Sequence, residues 1–140
     1  MTARTVPKEG QETTCEFRVR YAECDAMGYL HHARYWEYIE HTRTELLRRN
    51  GYRYRNLEAE GILFVVYKAA IKYLGPVRYD DLVHVTARVE RITRTRVDHS
   101  YSFQRDGLLL SEATSTLACV GCDGRPICMP DAFWVDANTP

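Results

Sequence analysis

HARYWEYIEHTRTELLRR, residues 32–49, is the stretch on which the architecture turns. Tyr35, Trp36, Ile39, Leu46 and Leu47 recur at helical spacing and build one apolar face, while Arg34, Glu37, Glu40, Glu45 and Arg48 fall mostly elsewhere. Asn50-Gly51 then supplies a C-terminal stop. A single helix with so wide an apolar face needs a sheet to cover it.

The strands for that sheet lie on both sides. Upstream, Phe17, Val19 and Tyr21 alternate with Glu16, Arg18 and Arg20, the period of a half-buried first strand. Downstream, a short polar segment from Tyr52 to Gly61 has room for a turn or two of helix. Ile62 to Leu74 is then rich in β-branched and aromatic residues. Leu63, Val65, Tyr67, Ala69, Ile71 and Tyr73 share one face and Lys68 and Lys72 punctuate the other, until Gly75-Pro76 ends the run. Val83, Val85, Ala87 and Val89 alternate with polar residues, and after the Arg91 to Arg96 corner Val97, His99, Tyr101 and Phe103 resume the alternation. Asp106-Gly107 signals a hairpin into a last strand, Leu108 to Val120, closed by Asp123-Gly124 and Pro126. Strand, long helix and four strands in hairpin succession predict an α+β hot-dog fold, an antiparallel sheet wrapped round one long central helix.

At 140 residues and 16.3 kDa the chain fits one domain. The sequence predicts a loose tail over 1–14, a domain over 15–135 and a short C-terminal tail over 136–140. Its 19 basic and 19 acidic residues cancel, which argues against a nucleic-acid partner bound through bulk charge, so any anionic ligand must be met by a local patch. The first 14 residues lack the apolar core of a secretory signal. The longest apolar run, Ile62 to Tyr67, is far short of the roughly 20 residues of a transmembrane helix. A soluble, cytoplasmic protein is expected. Five cysteines without a signal sequence argue for reduced thiols. Cys119 and Cys122 spell C-x-x-C with only Cys128 following, which reads as a pair of buried structural thiols and not as a metal site; no metal and no cofactor are expected.

The chemistry concentrates just before the helix, in YAECDAMGYLHHARY, residues 21–35. A helix start leaves backbone N–H groups unpaired and carries partial positive charge, so it can hold a developing oxyanion. Asp25 beside such donors has two readings. It caps the helix, the commoner task for an aspartate there, or it serves acyl transfer. It stands seven positions before His32, far for a cap.

The run Y-x-x-x-D-x-x-G-x-x-x-H-A-x-Y-x-x-Y-x-E-x-x-R-x-x-L-L, Tyr21 to Leu47, resembles the signature of the 4-hydroxybenzoyl-CoA thioesterase-like hot-dog enzymes, above all the bacterial acyl-CoA thioesterases associated with the Tol-Pal system. FVVYKAAIKYLGPVRYDDLVHV, Phe64 to Val85, resembles a second block of that subfamily, and the likeness covers nearly all of residues 15 to 130. The resemblance implies an acyl-CoA thioesterase that releases a carboxylic acid and free CoA. It further implies that Asp25 attacks the thioester carbonyl or activates water, and that His32 opens the central helix and polarises the carbonyl through its backbone N–H. Homotetramers built from dimers, with the site where two subunits meet, are also implied.

The remaining candidates each carry two readings. The His32 imidazole could act as a base or orient water, but its backbone N–H works whatever the side chain is. His31 reads as an exposed or cleft-lining neighbour, and His41 and His99 as structural on a helix and a strand. Arg91, Arg94 and Arg96 bracket a corner where guanidinium groups could pair with the phosphates of CoA, or form a solvated turn. Tyr29, Phe64, Val65 and Val66 are candidates for the acyl pocket or subunit seam, with ordinary core as the bland reading, whereas Tyr35, Trp36 and Ile39 belong to the helix-to-sheet core. Two rival functions stand beside hydrolysis. A hydratase or dehydratase would carry an Asp-Asn-Pro-x-His-like or His-x-Phe-Pro-Gly arrangement, absent here. A non-catalytic acyl-CoA-binding or scaffold module would keep the fold without turnover.

Overall fold

The computed structural model describes residues 8–130. In chain order these form β1 (Glu12–Arg18), one turn of 3-10 helix at Tyr21–Glu23, α1 (His32–Arg49), α2 (Tyr54–Ala59), β2 (Leu63–Tyr73), β3 (Leu82–Ile92), β4 (Arg96–Arg105) and β5 (Leu108–Val120). The strands make one sheet in the order β1-β3-β4-β5-β2, every neighbouring pair antiparallel. With α1 packed on one face of the sheet, this is the α+β hot-dog arrangement.

The two-residue period of the strands sets which face meets the helix. Val83, Val85, Ala87 and Val89 are buried on β3, and three of them lie opposite buried partners on β4: Val85 with Phe103, Ala87 with Tyr101, Val89 with His99. The rows continue onto β5, where Tyr101 faces Ala113 and His99 faces Ser115. On α1 the buried residues are Tyr35, Tyr38, Ile39, Thr42 and Leu46, steps of three and four that keep one side to the sheet. Trp36 and Leu47, expected in that face, flank it half-buried. The core divides along the helix. Tyr35, Tyr38 and Ile39 pack with Val85, Phe103 and Leu110 in one cluster, whereas Leu46 joins Leu57, Ile92, Val97 and Met129 in a second.

Several expectations change. Glu12 to Thr14, read as tail, are the first residues of β1: Thr13 and Cys15 turn inward against β3, a pattern short side chains satisfy on an outermost strand. The chain is tied down even earlier, since the Gly10 N–H donates to the Val89 carbonyl and the Val89 N–H to that of Gln11. Tyr21 does not continue the strand; it is 80% exposed where the chain has turned into the 3-10 helix. Cys122 is exposed, so only Cys119 of the C-x-x-C pair is a buried thiol. Residues 1–7 of the expected tail, the domain's end at 135 and the tail at 136–140 lie outside the described residues.

The largest change concerns β2. A bulge between Val66 and Lys68 shifts the register by one residue, so no single face runs its length. Before it Phe64 packs toward the second core cluster; after it Ile71 packs on the first and Tyr73 meets the Tyr35 ring edge-on, centroids 5.0 Å apart. β2 pairs only with β5, and Val65, Val66 and Tyr67 are 46, 58 and 62% exposed. Among the described residues no helix is long and apolar enough to cross a membrane.

Candidate active site

The segment between the 3-10 turn and α1 folds into a small hairpin of three rungs. The His31 N–H donates to the Glu23 carbonyl at 2.9 Å, Cys24 and Leu30 form a β-bridge, and the Asp25 N–H donates to the Tyr29 carbonyl at 2.8 Å. Its tip is a turn in which the Gly28 N–H donates to the Asp25 carbonyl at 3.0 Å, and Gly28 takes φ +78°. A Cβ there would meet nothing within 4 Å, so the backbone angle, not space, calls for glycine. The hairpin is stitched to the chain ahead of β3 by the Leu30 N–H to the Val77 carbonyl, 2.7 Å, with Leu30 and Val77 both buried.

Asp25 stands at the exposed end of this ladder. Its Oδ1 accepts from the N–H groups of Met27 at 2.9 Å and Tyr29 at 3.1 Å, which fixes the carboxylate to its own turn. Oδ2 has no protein partner among the described residues. Asp25 therefore does not cap α1. That task falls to His31, whose Nδ1 accepts from the Ala33 N–H at 3.1 Å while its carbonyl accepts from the Arg34 N–H at 2.8 Å. His32, the first residue of the helix, precedes those two satisfied donors, and its own backbone N–H has no partner among the described residues. The His31 and His32 rings stack with centroids 4.3 Å apart. A free carboxylate oxygen and a free N–H at a helix start, joined by one rigid hairpin, can act on two sides of a carbonyl carbon.

Two residues that sequence reasoning passed over hold this geometry. Glu23 is 4% exposed; its carboxylate accepts from the Tyr38 hydroxyl at 2.7 Å and the Arg20 N–H at 2.9 Å, while its carbonyl takes the His31 N–H. Burial alone would raise the Glu23 carboxyl, but the hydrogen bonds from the Arg20 backbone, Tyr38 and the Arg20 side chain outweigh it and hold the group below the usual carboxylate range. Tyr38 is pushed well up, by burial first and by the Glu23 carboxylate second. The Tyr38 ring stacks on Phe17 at 4.3 Å, so the anchor reaches β1. The local signal was Glu23 two residues before Asp25; its partner, fifteen residues on, is visible only once the chain folds back.

The other candidates separate into three places. Tyr29 stays with the hairpin, its ring under the Arg78 guanidinium at 5.3 Å. Phe64 and Val66 line a cavity of about 320 Å³ between the second half of α1 and the sheet, whereas the neighbouring Val65 is not part of its wall. Arg91, Arg94 and Arg96 are exposed around the β3–β4 corner, and the Arg96 guanidinium lies over the Tyr67 ring of β2 at 4.4 Å. His41 is exposed against the edge of Phe17, and His99 is buried on β4.

A sequence profile described as the thioesterase-like superfamily matches residues 19–135. The acyl-CoA thioesterase YbgC of Haemophilus influenzae is 35% identical over 115 residues, 81% of this chain and 85% of that protein. The acyl-CoA thioester hydrolase YbgC of Escherichia coli O157:H7 is 33% identical over 104 residues, 74% of this chain and 78% of its own length. Among solved structures, the DHNA-CoA thioesterase of Staphylococcus aureus superposes with a TM-score of 0.83 at 28% identity, covering 89% of this chain and 85% of that one.

Proposed function

We propose a mechanism from the premise that this chain belongs to the thioesterase-like superfamily and is an acyl-CoA thioesterase. The observation that carries it is the pairing of an unpartnered Asp25 Oδ2 with an unpartnered His32 N–H across one three-rung hairpin. The thioester carbonyl oxygen accepts from the His32 N–H, where the helix start stabilises the charge that develops on it. Asp25 then attacks the carbonyl carbon or takes a proton from the water that does. The tetrahedral intermediate collapses by breaking the C–S bond, and the thiolate leaves without much help because thiols are fairly acidic. If Asp25 has attacked, water cleaves the mixed anhydride and returns the carboxylate. The His32 ring is not needed for these steps.

The acyl group goes into the cavity lined by Phe64 and Val66, and Tyr29 flanks its thioester at the hairpin. The phosphates of CoA go to Arg91, Arg94 and Arg96, whose exposed corner gives a neutral protein its local cationic patch. The site is completed by a second copy of the chain. The outer edge of β2 is eleven residues long, carries exposed Val65, Val66 and Tyr67, and pairs with no strand among the described residues, the kind of edge proteins cover. Antiparallel pairing of two β2 edges about a two-fold sets the Phe64 end of one copy beside the Tyr73 end of the other. Tyr73 touches Tyr35 in the first turn of α1, so the helix start of one copy comes next to the cavity of the other. Val65, outside the cavity wall, falls to this seam. Five free thiols fit a reducing, cytoplasmic setting.

Thiol release from an acyl-CoA panel tests the assignment. Asp25→Ala is expected to lower turnover about a thousandfold and His32→Ala, which keeps the backbone N–H, to leave most of it; undiminished turnover in Asp25→Ala overturns the mechanism. Unlabelled acid from a single turnover in heavy-oxygen water identifies attack by Asp25. Water as the direct nucleophile labels the released acid, whereas attack by Asp25 followed by cleavage at the aspartyl carbon leaves it unlabelled.

A further inference from the structure

The cavity under the second half of α1 has a largely aliphatic wall, supplied by Leu46, Leu47, Val89, Ile92, Val97 and Leu117. His99 and Arg43 form one polar corner, and Glu40, Thr44 and Tyr54 add further polar groups to the lining. Its volume of about 320 Å³ is in the range of small-molecule sites. His99 is 7% exposed on β4, between Val89 and Ser115 in the sheet register. The polar groups beside it are satisfied: the Tyr101 hydroxyl and Ser115 Oγ are hydrogen-bonded at 2.6 Å, and Arg43 Nη1 donates to the Tyr101 oxygen at 3.1 Å. His99 Nδ1 is sealed from solvent with no partner, the one such side-chain atom among the described residues.

An orphaned buried polar atom costs about 1–3 kcal/mol, and a phenylalanine or leucine at this position of the strand would avoid that cost. The sealed nitrogen is least costly as a lone pair, which places the ring proton on Nε2, toward the cavity. Burial first and the neighbouring Arg43 charge second hold the imidazole neutral, its pKa lowered to about 3. The corner thus presents a directed N–H donor beside a half-buried guanidinium whose remaining donors have no carboxylate among the described residues within ion-pair distance. Both groups call for an oxygen acceptor.

We propose that this corner recognises the far end of the acyl group, and that the enzyme prefers acyl-CoA substrates whose acyl chain ends in an oxygen function, a hydroxyl or carboxylate that accepts from His99 Nε2–H against Arg43. This rests on the reading that the chain hydrolyses acyl-CoA with the acyl group in this cavity. His99 is then a specificity-determining residue, distant from the bond that breaks.

The test compares hexanoyl-CoA and dodecanoyl-CoA, each beside its ω-hydroxy and ω-carboxy derivative. At the length that fits, at least one oxygenated member is expected to exceed its plain parent about tenfold in kcat/KM, the worth of one well-placed hydrogen bond. In His99→Phe that ratio falls to about one or below, and in His99→Gln, which keeps a donor, part of it survives. Calorimetric Kd values for the same pairs on Asp25→Ala protein make the comparison independent of turnover. If no acyl-CoA is hydrolysed but the Kd ratio favours the oxygenated member and depends on His99, the hydrolase mechanism fails and the corner stands. If plain chains are hydrolysed through Asp25 and bind as well as or better than their derivatives at both lengths, or the preference persists in His99→Phe, the corner is overturned and the mechanism stands.

Discussion

The two halves of α1 rest on the same sheet and are built differently. In the first half Tyr35, Tyr38 and Ile39 fill the space beneath them, Tyr38 is bonded to the buried Glu23, and its ring stacks on Phe17. In the second half Leu46 and Leu47 look onto a cavity of about 320 Å³ whose polar corner leaves His99 Nδ1 without a partner. On the proposed mechanism the bond-making groups need fixed distances, and the helix start that carries the His32 N–H is held by dense packing and charge-assisted hydrogen bonds. An acyl group received as proposed needs unfilled volume, and the far half has it at the expense of packing energy.

The comparison can be broken at either end. The largest effect is expected at the front. Asp25→Ala should lower thiol release about a thousandfold, roughly 4 kcal/mol, while thermal unfolding changes little because the side chain is exposed. Packing comes next. Ile39→Ala should cost about 4 kcal/mol in denaturant unfolding and Leu46→Ala only about 2, because Leu46 already borders unfilled space; equal losses would mean that the two halves are packed alike.

A pH series sharpens the contrast through its two buried titrating groups. His99 has a folded pKa of about 3 against an ordinary 6.5, so the unfolded chain binds the extra proton in that window and stability falls as pH drops through it. At pH 5 the loss relative to neutral pH should be about 2 kcal/mol, read from denaturant midpoints, and His99→Phe should flatten that part of the curve. Glu23, also lowered in the folded chain, contributes stability that is present above its ordinary value of 4.5 and lost as pH falls below it, so its loss comes at lower pH than the onset of the His99 loss. The smallest effect concerns positioning. Tyr38→Phe should cost about 1.5 kcal/mol of stability and lower kcat with KM nearly unchanged. A change in KM alone would show that Glu23 and Tyr38 hold the substrate and not the hairpin.

Much of this protein could be read along the chain. β3, β4 and β5 alternate because one face of each lies under the helix and the other meets water, and a local period records that directly. Asp25 and His32 stood out because a carboxylate, a glycine turn and a helix start are neighbours in sequence. The bulge in β2 was hidden, since one skipped residue leaves composition unchanged and reverses every side chain after it. Hidden too was the division of labour at the helix start, where His31 caps and Asp25 is held by its own turn. Either residue could have filled either role by local pattern alone.

By itself the sequence determined the fold class, the order of elements and the nearness of Asp25 to the helix start at His32, because each depends on neighbours a few residues apart. Only the tertiary structure decided that Glu23 anchors Tyr38, that β2 changes face halfway, and that His99 ends unpaired beside a cavity. Those outcomes depend on which distant side chains fill, or fail to fill, the same space, and no local period carries that information.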